Sequence, residues 1–533
     1  MFMPMPSLLN KWSAADIDAF SYYVRESIIN LGQSLQVKES AAKRTLEISR
    51  LNPNERSKCI REEAAYTSFS FTNEIDLKKS WFYFIHNIGK IKTIRFCFET
   101  QQIQMLYMHL TTPSNTKEAR QHKRLIPVFS IKDIEQTLFH LDGGYVKHES
   151  DGITYVNRRN FTIQGFGCDF DKNNANTKAA LEYLERHAAS ISLPHTIVGS
   201  YEQLKDTYNL IDPTKLGLYE AHLAEKFQVT PYTRELETEW CQARSARTDN
   251  IYYVPLQHAQ YLKDSLLNRF VFENSNGSAL GNSYEEASLY SILEAYERDV
   301  FFNQWFGDEQ LQEIHYSEQR TDLMGRVLYF KQLGYRLQFF SLNNSRNIPV
   351  VWCLLTSMDE QNTVYSITGL GCHLNIHHAM DAAFFEVLNV FRSLRRMDKE
   401  KLRQDIRDME QRQELTDIKD HILYFASYQS RLLLEQRISS AKAVELEQLA
   451  RLNYSALDIE QELHWLLEKM DGLYEDVIII DQTNEYLSAF SLYCTKAILI
   501  GALPVDFTTR LIRFTSHTLT NKKIEGLNIH PLG

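Results

Sequence analysis

The chain has 533 residues, 44% of them hydrophobic and 24% charged, and a formal net charge of −10. That length suits about three to four units of ~150 residues, or one large α/β unit with additions, and the composition is that of a globular protein. The acidic balance argues against generic nucleic-acid binding, which goes with a basic domain.

From the N-terminus, Met1–Asn10 has no cationic segment ahead of an apolar core, so it is a poor signal peptide. Ile17, Phe20, Val24, Ile28 and Ile29 recur at helical spacing, which predicts a helix over Asp16–Gln36 capped by Ser13. Ile91–Phe98 alternates as a strand does. Thr111–Lys123, polar and holding Pro113, reads as a linker. A domain boundary is therefore expected near 130, with a possible partner-docking domain over 1–130 and a second domain over 131–533.

Beyond the boundary strands alternate with helices. Strands are expected at Gly152–Val156, Phe161–Gly165, Tyr252–Val254, Phe270–Phe272, Leu337–Phe340, Val350–Leu355, Tyr365–Leu370, Val477–Asp481 and Ala497–Leu499. Helices are expected at Asn176–Ser190, Tyr284–Phe306, His378–Arg396 and Ile459–Met470. The pattern predicts a mixed sheet with helices packed on it. Asp398–Gln413 is almost all charged and polar, and reads as a solvated helix or flexible insertion running to about 440. The longest apolar stretches, near Val477–Ile480 and Ala497–Val505, are too short to span a bilayer. Seven scattered cysteines with no C-x-x-C pair suggest neither zinc nor disulfides and suit a reducing cytoplasm.

The chemistry concentrates in a signature that occurs twice. Leu181-Glu182-Tyr183-Leu184-Glu185-Arg186 and Leu293-Glu294-Ala295-Tyr296-Glu297-Arg298 both read L-E-x-x-E-R. Residues three apart share a helix face, so each copy offers two carboxylates with an arginine beside them. Brought together, the two copies would put four carboxylates around one spot, a cluster that repels itself unless hard divalent cations hold it. The second copy follows a Gly-rich approach, Ser275–Asn282, in which Gly277 and Gly281 allow close backbone turns and Asn282 stands before the helix. Glu286 lies two turns before Glu294. Gly369-Leu370-Gly371-Cys372-His373 precedes a helix that carries Glu386. His373, His377 and His378 read as surface or capping residues. There is no P-loop and no nucleophile elbow.

These residues carry a resemblance. SNGSALGNSYEEASLYSILEAYERD (Ser275–Asp299) closely resembles the hallmark segment of YcaO-type proteins. NTKAALEYLERHAA (Asn176–Ala189) resembles their first acidic helix, and GLGCHLNIHHAMDAAFFEVLNVF (Gly369–Phe391) their G-x-G-x-H helix. Val477–Thr483 and Ala497–Phe507 look like the closing section, so the resemblance runs from about 135 to 533. It implies a YcaO-like α+β fold with mixed sheets and packed acidic helices, plus a small N-terminal α+β region.

It further implies a bacterial cytoplasmic enzyme that uses ATP and Mg2+ to cyclodehydrate Cys, Ser or Thr of a ribosomally made peptide into an azoline. The alternatives are thioamide or amidine formation, or a scaffold subunit. By motif match Glu182, Glu185, Glu294 and Glu297 would hold magnesium. Arg186, Asn282, Glu286, Arg298 and Glu386 would complete the ATP site. Azoline-forming relatives place their C-terminal tail in the active site, which makes His530, Pro531 and Gly533 candidate catalytic residues in an ordered tail. The implied partners are a precursor peptide, a separate leader-peptide-binding subunit and a flavin-dependent azoline dehydrogenase, with no nucleic acid or membrane. The sequence departs from the family at four places. Gly165–Asp169 lacks a customary lysine, Lys178 replaces a serine, Ala382 an arginine and Asn389 a glutamine.

Overall fold

The structure is a computed structural model that describes residues 35–40, 45–50, 66–70, 91–97 and 102–107 and, with short gaps, 145–507, then 513 and 529–532. Two compact units divide the chain. One takes Met1–Arg120, Pro127–Gly144 and Glu485–Ser491, the other Gln121–Ile126, Tyr145–Asn484 and Leu492–Gly533. The expected helix over 16–36 lies outside the described residues except for 35 and 36, which open a strand. The expected linker over 111–123 also lies outside them.

The described part of the first unit is an antiparallel sheet of β1 (Leu35–Ser40), β2 (Thr45–Arg50), β3 (Tyr66–Ser70), β4 (Ile91–Cys97) and β5 (Gln102–Tyr107), in the order β1-β2-β4-β5-β3. The alternating segment expected near 91–98 is β4.

The second unit opens with a three-stranded meander, β6 (Tyr145–Ser150), β7 (Ile153–Arg159) and β8 (Gln164–Asp169), followed by helix α1 (Lys172–Ser190). Asp171 caps α1 by accepting from the amides of Asn173 and Asn174. Next come β9 (Ile197–Gly199), β10 (Thr238–Ser245), β11 (Ile251–Pro255), β12 (Ser278–Gly281) and the long helix α2 (Tyr284–Phe306). They are followed by β13 (Gln312–His315), α3 (Thr321–Gln332), β14 (Tyr335–Ser341), β15 (Val350–Ser357), β16 (Ser366–Cys372) and α4 (Ile376–Arg396). The chain continues through α5 (Lys399–Arg412), α6 (Ile418–Ala426), β17 (Lys442–Glu445), α7 (Ile459–Met470), β18 (Val477–Asp481) and β19 (Tyr493–Leu499). One sheet runs β11-β10-β18-β19-β12 with β9 on β10, and another runs β16-β15-β14-β13-β17, in which β13 and β17 pair in parallel.

The second of these sheets is buried on both faces, which explains why β15 reads as an unbroken apolar run. Val351, Cys353 and Leu355 pack with Ala383, Phe384 and Val387 of α4, while Val350, Trp352 and Leu354 face the cluster holding Ile292, Tyr296 and Phe301 of α2. The same cluster takes Val477 and Ile479 of β18 and Ala497 of β19, so α2 is the layer between two sheets. A helix in that position is apolar nearly all round, and Glu286, Glu297 and Asp299 are buried with it.

Two expectations change. Phe270–Phe272, with Phe270 and Val271 buried and Phe272 exposed, is not a strand: the amides of Phe270 and Val271 donate to Gln257 Oε1 at 2.8 and 3.2 Å instead of to a neighbouring strand. The polar run after Asp398 is a helix, α5, as one of the two readings had it, but an amphipathic one whose Leu402, Ile406 and Met409 are buried.

Close strand–helix contact sets the layer spacing. A Cβ built on Gly371 would lie 2.1 Å from the Ala379 carbonyl oxygen, whereas one on Gly325 in α3 meets nothing within 4 Å. Gly371→Ala should therefore cost about 1–3 kcal/mol, read as a lower urea midpoint, while Gly325→Ala leaves the midpoint level or raises it. Equal midpoints for both variants would contradict the packing described.

Candidate active site

Three strand-to-helix junctions build the site, and each uses a glutamate in the same way. At the first, Gly167 brings β8 so near α1 that a Cβ would sit 1.9 Å from the Ala175 carbonyl. The Phe166 amide donates to Glu182 Oε2 at 2.7 Å, Arg186 pairs with the other oxygen at 2.6 Å, and Arg186 also donates to the Gln164 carbonyl. At the β16–α4 junction the Leu370 amide donates to Glu386 Oε2, again 16 residues along the chain, and Glu386 Oε1 faces Arg298 at 3.5 Å. At the β12–α2 junction the Asn282 amide donates to Glu286 Oε2 at 2.7 Å, while Ser283 caps the helix by accepting from the Glu286 amide. Phe166 and Leu370 lie on edge strands, where every second amide points away from the ladder, and Asn282 lies just past β12, so each amide needs another acceptor and a helix glutamate supplies it.

These junctions bring the repeated acids together. Glu182 and Glu185 from α1 and Glu294 and Glu297 from α2 line one cavity of about 320 Å³, with Cys372 and Ala382 on its wall. The electrostatics show the crowding. Burial, with the charges of Glu294 and Glu182 added, lifts the Glu185 carboxyl well above the ordinary range. Burial is the largest cause at Glu294 too, lifting it to about 7 against the pull of Arg298, and at Glu297, lifted to about 8 with help from Glu386 and Glu294. Glu182 is raised by burial, with its Phe166 and Arg186 contacts opposing the rise. Burial disfavours the charge on Arg298, but Glu297, Glu386 and Glu294 outweigh it and hold the guanidinium charged.

Among the described residues no three acids, imidazoles or thiols stand close enough together to ligate one ion as placed. The fit to Mg2+ lies instead in the donor chemistry: four carboxylates are hard oxygen ligands, and their mutual repulsion is charge that a divalent cation offsets.

Other candidate residues lie elsewhere. Asn282 and Glu286 belong to the junction of α2, and Glu386 reaches the cluster through Arg298. In the tail, Ile529 is half-buried and His530–Leu532 are buried in the core. Its carbonyls at Ile529, His530 and Pro531 accept from Trp305, His421 and Thr368 respectively. The His530 ring stacks on His421 at 4.2 Å and bonds through Nε2 to the Asp506 carbonyl, and neither His530 nor Pro531 lines the carboxylate cavity. Gly533 lies outside the described residues. Lys178 pairs with Asp169 at 2.7 Å and covers the Phe385 ring, and His373 accepts from the Asn375 amide as a capping residue does.

Sequence reasoning missed Lys496. It is 2% exposed on β19, donates to the Asn274 carbonyl at 2.7 Å and lowers the pKa values of both Glu294 and Glu185. The available signal was a lone lysine inside an apolar strand run, a residue seldom buried without a charged partner.

The sequence profile described as "YcaO cyclodehydratase, ATP-ad Mg2+-binding" matches residues 166–502. The chain belongs to the YcaO family, whose domain binds ATP and Mg2+. No functionally curated protein matches by sequence. Solved structures share the fold, three of which are as follows. A heterocyclase in complex with substrate and cofactor is 15% identical with a TM-score of 0.58, over 80% of this chain and 62% of that one. The heterocyclase TruD is 14% identical with a TM-score of 0.53, over 80% and 57%. YcaO from Methanopyrus kandleri, bound with AMPPCP and Mg2+, is 18% identical with a TM-score of 0.51, over 72% and 95%. The chain spans about three fifths of the length of the two heterocyclases. No helix among the described residues is long and apolar enough to cross a membrane.

The raised carboxyls make stability depend on pH. Burial raises the Glu294 and Glu297 carboxyls from the ordinary 4.5 to about 7 and about 8 in the folded chain. Below 4.5 both states are protonated and the contribution is complete. Between 4.5 and 8 the native state keeps protons that the unfolded chain has lost, so stability falls as pH rises. Without divalent cations, Glu297→Gln should therefore gain in Tm over the parent progressively from pH 4.5 to 8. A pH-independent difference between the two melting curves would show that Glu297 is not held protonated.

Proposed function

We propose that the chain is an ATP-dependent peptide heterocyclase. It would convert Cys, Ser or Thr of a ribosomally made precursor peptide into thiazoline or oxazoline. The observation that carries this reading is the arrival of both L-E-x-x-E-R pairs, far apart in sequence, on one cavity wall. In the reaction proposed, the substrate side chain attacks the preceding amide carbonyl and loses its proton. The carbonyl oxygen takes the γ-phosphoryl group of ATP, releasing ADP. Phosphate then leaves as the nitrogen loses its proton, which closes the C=N bond. The transfer turns a poor leaving group into a good one.

Glu182, Glu185, Glu294 and Glu297 would hold Mg2+, whose chemistry is to neutralise charge on the transferring phosphoryl group. Arg298, held between Glu297 and Glu386, would face phosphate oxygens with little reorganisation. Arg186 is fixed by Glu182 and the Gln164 carbonyl and would do the same from α1. Glu286 and Asn282 would act by fixing the start of α2. His530 and Pro531 would act by seating the tail, with Gly533 beyond them. Supporting that seat are three side-chain donors to successive carbonyls, one of them Thr368 on the strand whose Leu370 amide holds Glu386. A separate leader-peptide-binding subunit would present the substrate, residues 1–130 would dock it, and a flavin-dependent dehydrogenase would oxidise the azoline.

The test uses the full chain with a Cys-rich precursor peptide and its recognition subunit. Phosphate release should match the loss of one water per cycle by mass spectrometry. Glu297→Ala should lower turnover by ~100-fold or more while circular dichroism stays unchanged. Phosphate release without water loss, or full turnover in Glu297→Ala, would refute the reading.

A further inference from the structure

A second cavity, of about 70 Å³, shares helix α2 with the first but is lined by different residues. Asn274 and Asn276 enter it from the approach to β12, Ala295 from α2 and Lys496 from β19, with Arg513 and His258 completing the polar wall. By this measure a water needs about 10–15 Å³, so the space is several waters large.

Its polar groups are left unmet. His258 is 4% exposed, and neither ring nitrogen has a hydrogen-bond partner among the described residues. The side-chain oxygen of Asn276 and the Nε–H of Arg513 are likewise without hydrogen bonds there. Buried imidazoles bonded at neither nitrogen are rare, because the lost hydration is not replaced. The wall therefore calls for an occupant that bonds to it.

The inventory states what kind. Lys496 gives one of its three N–H groups to the Asn274 carbonyl and keeps two. Arg513 spends Nη1 on Glu273 and Nη2 on the Val505 carbonyl, and keeps Nε–H, with Asp506 Oδ2 at 3.5 Å. His258 adds one more donor. Against these unmet donors stand two unmet acceptors, the second His258 nitrogen and Asn276 Oδ1. Glu273 is the one carboxylate on the wall, and Arg513 already pairs with it. Asp506, just behind the wall, also faces Arg513, so Lys496 and Arg513 are balanced by Glu273 and Asp506, and what the wall offers an occupant is an excess of unmet donors over unmet acceptors.

We infer that this cavity is a subsite for a small oxyanion, inorganic phosphate, taken up beside the carboxylate cavity. Monohydrogen phosphate matches the wall in both senses: its bare oxygens accept from Lys496, Arg513 and His258, and its hydroxyl donates to Asn276 or His258. The subsite deepens the proposed function and rests on it for the source of phosphate, since ATP cleavage would release that ion next to Lys496.

The experiment titrates inorganic phosphate into the full chain by calorimetry, with the carboxylate cavity saturated by Mg2+ and a non-hydrolysable ATP analogue. One phosphate should bind per chain. His258→Phe should weaken that binding at least tenfold while analogue affinity stays within twofold. Asn276→Asp, which sets a negative charge against the anion, should weaken it similarly and serves if His258→Phe does not fold. The absence of phosphate binding to the parent chain would overturn the inference. So would binding that disappears when the analogue is present, which assigns the ion to the carboxylate cavity, or binding unchanged in the folded variants. Analogue binding is measured in its own titration. Loss of that alone, with His258-dependent phosphate binding intact, would refute the ATP reading and leave the subsite standing.

Discussion

Like charges forced into one cavity are the constraint on which the rest of the structure depends. Glu185, Glu294 and Glu297 each prefer water, and burial beside one another raises the affinity of all three for protons. Nothing local in α1 or α2 favours that approach. It is imposed by large apolar layers on either side of α2 and by junctions where a strand amide is tied to a helix carboxylate. The cluster is thus a store of unfavourable electrostatics held by packing, of the kind that a divalent cation would offset. Functional sites commonly break local preferences in this way while the surrounding core compensates.

The three junctions also explain a division of labour among acids that look alike in sequence. Glu182, Glu286 and Glu386 each spend an oxygen on a main-chain amide, and in doing so they fix where their helices begin relative to the sheet. Arg298 links two junctions by standing between Glu297 and Glu386. Asp299, the next residue, is bound by the Tyr474 hydroxyl, the Leu503 amide and Asn303, so it ties α2 to the segment after β19. Buried acids on one helix therefore serve the site and the scaffold in alternation, as helical geometry turns successive residues to different neighbours.

Much of the architecture was legible. The helices over 284–306 and 459–470 and the strand over 477–481 fall where periodicity puts them, because long amphipathic or apolar runs carry their own signal. What escaped was decided by distant partners. No strand is expected from the sequence over β10, yet it is an interior strand of its sheet, hydrogen-bonded to β9, β11 and β18. Phe270–Val271 has strand composition but gives its amides to a glutamine side chain. The kinship of the β8–α1 and β16–α4 junctions was written in the sequence as G-x-G-C with a glutamate following, but its meaning is a hydrogen bond spanning 16 residues that no local rule contains.

The sequence by itself determined the residue types and their local geometry: paired acids three apart on helices, glycines where helix and strand must touch, and apolar runs that have to be buried. Tertiary structure alone decided which acids meet, that Lys496 joins them, and that the tail around His530 sits within the core. The physical reason is range. Propensity and periodicity act over a few residues, whereas the repulsion, the pKa shifts and the cavities arise between groups separated by a hundred residues or more of chain.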